Sequence, residues 1–170
     1  QPAFPSKPIR LVVGFGAGGG TDIYARAISP EMGEVLGQPV VIDNRPGAGG
    51  AIANEYVAKA PADGYTLLVG SSAAFAIVPH LLARPPYDPV KDYAPVGLFA
   101  RNSHVLVLNS SLPVTSIKDL IALAKEQPGR LNYASAGNGS VMHLETELFL
   151  SMAGIRMTHV PYKSAAPALQ

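Results

Sequence analysis

Residues 14–22 read GFGAGGGTD and follow directly on the apolar run Ile9–Val13. Five of the nine are glycine. A short, β-branched, wholly apolar run reads as a buried strand. A glycine-rich turn behind such a strand leaves backbone N–H groups free to converge on an anion. The stretch therefore reads in three ways: a dinucleotide turn, a cradle for another anion, or a bare strand-to-helix connection. For the first, Gly14, Gly16 and Gly19 satisfy G-x-G-x-x-G, and Asp43 closes the next apolar run where a ribose-binding acid belongs. That pattern would suit an NAD(P)- or FAD-dependent oxidoreductase. Against it, the glycines run on to Gly20, and Thr21 and Asp22 mark the helix start. Thr21 serves as its cap, and Asp22 is favoured by the helix dipole. The wider turn sets a carboxylate beside the supposed pyrophosphate. A second such turn, SAGNGS at 135–140, opens another helix. One dinucleotide does not need it, whereas a small anion held between two lobes does.

The pattern of strand, turn and helix repeats along the chain. From Thr21, the residues Tyr24, Ile28, Met32 and Val35 fall on one helical face. Pro30 predicts a kink or break, and Gly37 ends the helix. Pro39–Asp43 reads as the second strand, with Asp43 and Asn44 as turn formers, and Ala51–Ala60 as a short helix. Thr66–Val69 is the third strand. GSSAAFAIVPHLL starts a helix with the hydroxyls of Ser71 and Ser72 at its mouth. ARPPYDPVKDYAP is too rich in proline for regular structure. Val96–Ala100 and Val105–Leu108 read as strands. Ser116 caps a helix over Ile117–Glu126, and Leu131–Ser135 is a strand. Ser140 caps a helix over Val141–Met152, and Arg156–Val160 is a strand. Alternation of this kind gives parallel sheets covered on both faces. Right-handed crossovers then gather the turns at one edge, where ligands bind. The places to look are 14–22, 70–75, 135–140 and 161–165.

Composition excludes several classes of function. Of 170 residues 48% are hydrophobic and the net charge is +1, with no block of one sign. Nothing there points to nucleic acid or a charged membrane surface. With no cysteine, disulfides, thiolate metal sites and cysteine nucleophiles are out. His80, His104 and His159 show no paired metal spacing, so no metal site is expected. Ser140 and His143 do not sit in a nucleophile elbow, which argues against a hydrolase. His143 either faces a cleft or packs. Tyr24 and Phe149 read as core, and Arg45 and Arg101 as solvated surface.

Several stretches together resemble one family. FPSKPIRLVVGFGAGGGTD, LGQPVVIDNRPGAGG, ADGYTLLVGSSA, PYDPVKDYAPV, LNYASAGNGSVMHLETELF and HVPYKSAAPAL occur in that order. They look like the periplasmic solute-binding receptors of tripartite tricarboxylate transporters, the Bug-type receptors. The resemblance implies a periplasmic-binding-protein-like (type II-like) α/β fold, with two parallel-sheet lobes joined by crossing strands. The first lobe would be 1–100, the second, incomplete, 101–170, with a hinge near 99–103. The lobes would close on a di- or tricarboxylic, amino or aromatic acid, without enzymatic activity or cofactor. It further implies a periplasmic location with a signal peptide removed, and membrane transporter components as partners. Carried over residue by residue, it nominates Phe15, Gly18, Gly19, Gly20, Thr21, Asp22, Ser71 and Ser72 in the first lobe. In the second it nominates Ser135, Asn138, Gly139 and Ser140, with His143 one turn further on. The chain departs from the family pattern at Gly14 and Ala17, where proline is usual, and at Ser164, in place of glycine. It also stops inside the second lobe. Uncovered apolar edges are expected near Val96–Leu108 and Arg156–Val160, inviting pairing with a second copy or aggregation.

Overall fold

The structure is a computed structural model that describes residues 4–169. In its first strand, β1 (Ile9–Val13), Ile9, Leu11, Val12 and Val13 are all buried and only Arg10 is exposed. A strand of this kind belongs in the middle of a sheet. It pairs in parallel with β2 (Val40–Asn44) on one side and β3 (Thr66–Val69) on the other, in the order β2-β1-β3. Val13 lies level with Asn44 and Val69, so all three strands end together and their following turns leave from one edge. Helix α1 (Gly20–Leu36) covers the sheet by packing Ala25 against Leu11, Val13 and Val69. After β2 a 3₁₀ turn, Ala48–Gly50, leads into α2 (Ala51–Ala58). After β3 a π-helical turn, Ala73–Ile77, runs on into α3 (Val78–Leu81).

A second parallel sheet pairs β4 (Asn132–Ser135) with β5 (Thr158–Pro161), with Ser135 opposite Pro161 at its carboxyl end. Helices α4 (Ile117–Glu126), α5 (Val141–Ala153) and α6 (Ala165–Ala168) accompany it. Its core holds Ala124, Tyr133, Leu150 and Ile155, with Phe149 packed against them. The proline-rich loop is irregular but anchored. The Tyr87 hydroxyl donates to the Ala74 carbonyl at 2.5 Å, and the Tyr93 hydroxyl to the Asn54 carbonyl at 2.9 Å. Among the described residues no helix is long and apolar enough to cross a membrane.

The α/β class and the parallel pairing agree with the sequence reading; four local expectations do not. Thr21 does not cap α1. The helix starts one residue earlier, with Gly19 in the cap position and no side-chain capping bond. Pro30 neither ends nor divides α1, which runs on to Leu36. The Arg26 carbonyl, deprived of the proline's N–H, meets the Ser29 hydroxyl in a long contact of 3.5 Å. Val35 is off the buried face, at 86% exposure. Val96–Ala100 and Val105–Leu108 form no strands. A strand exists only where a neighbour takes its backbone bonds, and no described segment pairs with either. Their side chains stand in solvent, Val96 at 90% and Val105 at 82% exposure.

Burial sets an expectation for stability. Leu120→Ala, at a site 1% exposed, is expected to cost about 2–5 kcal/mol in urea unfolding. Val35→Ala should stay within about 0.5 kcal/mol. Equal losses would contradict the assigned packing.

Candidate functional site

The first glycine-rich turn is organised by a buried carboxylate. Asp22, fully buried in the first turn of α1, accepts from the Gly18 amide at 2.9 Å and the Arg26 Nε at 2.7 Å through Oδ2. Its Oδ1 accepts from the Asn44 Nδ2 at 2.9 Å, and the same amide group donates to the Phe15 carbonyl at 3.0 Å. Burial is the largest single influence on Asp22 and opposes its charge. The hydrogen bonds from Arg26, Gly18 and Asn44 together outweigh it and hold its pKa below the ordinary 3.8. Within the turn the Gly19 amide bonds the Gly16 carbonyl at 3.2 Å. The amides of Gly18 and Gly19 are thus already used. Gly20 and Thr21 keep theirs, as first-turn helical residues do. Gly20 borders open space, since a Cβ there would meet no atom within 4 Å.

The second turn is tied together in the same manner. Buried Ser135 lies with Oγ 2.6 Å from the His159 Nε2 and accepts from the Gly137 amide at 3.1 Å. Ser140, also buried, caps α5 by accepting from the His143 amide at 3.2 Å. The Gly139 amide donates to the His143 Nδ1 at 3.2 Å. The His143 ring stacks on His159, centroids 4.2 Å apart, and His159 on Tyr133 at 4.8 Å. The Tyr133 hydroxyl bonds Glu147. His143 therefore packs beneath its turn and braces it. Burial first, and His143 second, hold the His159 pKa below the ordinary 6.5. His159 is then neutral at neutral pH and shares a hydrogen bond with the Ser135 Oγ.

The carboxyl edges of the two sheets face each other. The Gly16 amide donates to the Lys163 carbonyl at 3.1 Å. Gly49, with φ at +63°, sits so close to the second turn that a Cβ would stand 3.1 Å from the Asn138 carbonyl oxygen and 3.2 Å from the Gly139 carbonyl carbon. Turns from both sheets thereby meet through main-chain atoms. Phe15 reaches the same region, 3.8 Å from the Cβ position of Gly50. Ser71 accepts from the Ala74 amide at 3.3 Å, leaving its own proton free, and Ser72 is exposed. Sequence reading missed Gly16, Gly49, Asn44, His159, Lys163 and Ser164. The extended glycine run and the PYKS stretch were the available signals for three of them. Asp43, the acid a dinucleotide would need, is held by the Arg10 Nη1 at 3.3 Å and the Arg45 Nε at 2.9 Å. Arg45 in turn lies 3.6 Å over the Tyr56 ring. No group of three or more His, Asp or Glu among the described residues is placed to hold a metal. Two surface hollows, one along Pro30–Val40 and one beside Tyr56 and Lys59, involve none of these turns.

Residues 24–170 match the family described as "Tripartite tricarboxylate transporter family receptor". The chain belongs to this family. It is 43% identical over 98% of its length to the UPF0065 protein of the tcbD-tcbE intergenic region of Pseudomonas sp. strain P51, covering 49% of that protein. It is 42% identical to BugT of Bordetella pertussis, again over 98% of its length and 51% of the relative. The chain thus spans about half the length of these curated relatives. Among solved structures, an R. palustris protein with adipate superposes at TM-score 0.93, with 46% identity. The match covers 98% of this chain and 56% of that one. MatC from Rhodopseudomonas palustris with bound malate superposes at 0.86, with 35% identity, covering 98% and 57% of the two chains. A structure described as a periplasmic transporter superposes at 0.94 with 42% identity, covering 98% and 56%.

Two outcomes test the account of the turns. Asp22→Ala strips the acceptor from Gly18, Arg26 and Asn44 and is expected to cost about 2–3 kcal/mol by chemical unfolding; a silent change would show that the carboxylate does not organise the turn. For His159, the folded chain binds fewer protons than the unfolded one as pH falls through 6.5. Stability is full above that value and is lost below it, until the depressed pKa is reached. His159→Asn should flatten the fall in melting temperature between about pH 7 and pH 5; an unchanged slope would remove His159 as its source.

Proposed function

We propose that this chain is part of a periplasmic receptor that captures a small carboxylate, a di- or tricarboxylic, amino or aromatic acid, for a tripartite tricarboxylate-type transporter. The observation that carries the reading is the meeting of the two sheet edges through glycine turns, with the N-terminus of α1 beside open space at Gly20. Unpaired helix amides and a positive helix end attract an anion. Hydrogen bonds to a charged acceptor contribute about 1.5–3 kcal/mol each, enough to hold a carboxylate without a cationic side chain. Adipate and malate, bound in two similar structures, are solutes of this class.

In this reading the nominated residues divide by task. The Gly20 and Thr21 amides, the Ser71 and Ser72 hydroxyls and the exposed Asn138 side chain hold the solute, with Phe15 as an apolar wall. Gly18, Gly19, Asp22, Ser135, Gly139, Ser140 and His143, whose polar groups are engaged within the turns, shape the cradle. Residues 1–100 and 101–170 form the two lobes, and the segment near 99–103 is the hinge about which they close. The role is capture and delivery; no bond of the solute is made or broken, and the receptor hands its cargo to membrane partners. The dinucleotide reading gains nothing from the geometry, since Asp43 is committed to Arg10 and Arg45.

A thermal-shift panel on the protein at the length of its relatives tests this. Adipate, malate, citrate or another small organic acid is expected to stabilise it, by about 2.7 kcal/mol at one hundred times Kd, with no response to NAD or FAD. A response to the dinucleotides alone would overturn the reading.

A further inference from the structure

Ser164 ends the turn after β5. It is 2% exposed, and it occupies the cap position of α6 without making a capping bond. Its backbone, at φ −164° and ψ 175°, is ordinary extended chain, so nothing in its conformation requires serine. No described residue hydrogen-bonds its hydroxyl. The group instead fills the space that two glycines of the opposite turn leave open. A Cβ at Gly16 would lie 3.3 Å from the Ser164 Oγ, and a Cβ at Gly19 would lie 3.0 Å from the Ser164 Cβ. Both glycines have ordinary negative φ or extended backbone, Gly19 with φ −75° and ψ 162°. Ser164 therefore limits both positions across the gap, and at Gly19 the Gly16 carbonyl oxygen, 3.2 Å from the same Cβ position, limits it from within the turn as well. The neighbouring Lys163 carbonyl holds this register by accepting from the Gly16 amide.

Among the described residues only Asn54 Oδ1 is both sealed from solvent and unpaired, so the Ser164 hydroxyl reaches the gap and is free to give its proton to an acceptor that enters there. The acceptor that suits this position is an anionic oxygen at the N-terminus of α1, where the Gly20 and Thr21 amides are unpaired. We infer that Ser164 is a solute-contacting, specificity-determining residue: its hydroxyl donates to the carboxylate bound at the N-terminus of α1, and its Cβ fixes how closely the second sheet's edge seats on Gly16 and Gly19. The inference rests on the receptor reading above. It adds a donor from the turn after β5 to the carboxylate held by the α1 amides, so that carboxylate is gripped from both sides only when the edges are together.

Calorimetric titration of the protein at the length of its relatives, against adipate, malate, citrate, glutamate and benzoate, tests it with four variants. The wild-type chain binds at least one acid. Ser164→Ala keeps the Cβ and loses the donor, and should weaken that acid about tenfold or more with an unchanged melting temperature. Gly19→Ala should weaken it through the clash with Ser164. Gly19→Ala with Ser164→Gly should recover part of that loss relative to Gly19→Ala, whereas Ser164→Gly alone weakens binding as Ser164→Ala does. Wild-type affinity in Ser164→Ala, or no recovery in the double variant, overturns the inference and leaves the receptor reading intact. Failure of every acid to bind the wild-type protein overturns both.

Discussion

A carboxylate with no exposure to water holds the first glycine-rich turn in shape. Asp22 sits where an external anion would be drawn, at the head of α1, and satisfies the Gly18 amide from within. A chain of glycines has many conformations to lose on folding. An internal acceptor that collects Gly18, Arg26 and Asn44 selects one of them before any solute arrives. Asn44 extends the selection to the neighbouring strand, because the same amide group also meets the Phe15 carbonyl. The remaining donors at the helix head are then presented in a fixed array.

On the opposite sheet the bracing is done by stacked rings. Tyr133, His159 and His143 form a stack under the second turn, with Ser135 and Gly139 bonded to its edges. An ionised imidazole in that stack would face its neighbour's like charge and poor solvation. One cradle is therefore set by a buried negative charge and the other by the avoidance of a positive one. Neither arrangement places a cationic side chain in the gap, which suits selective binding of acids through directional amides rather than through net charge.

Much of this was legible in the sequence, and the failures share a cause. Ile9–Val13 and Thr66–Val69 read correctly because an apolar β-branched run has few other places to go. Ser116 and Ser140 read correctly as caps because capping is local. Thr21 misled because α1 begins one residue before it, with Gly19 in the cap position and no side-chain cap. Val96–Ala100 and Val105–Leu108 misled because strand propensity does not supply a partner strand. The site was legible as two glycine turns but not as their contact. Gly16 against Lys163, and Gly49 against Asn138, join residues far apart in the chain, and no local pattern encodes such pairs.

The loop over 83–95 has a mechanical consequence. Its prolines limit the shapes it samples while unfolded, so pinning it at Tyr87 and Tyr93 sacrifices little freedom. The two phenols lock the π-turn behind Ser71 and Ser72 to α2, like struts joining two walls of one room. The wall carrying Ser71 and Ser72 is thereby cross-braced to α2 by side chains that lie far from it in sequence.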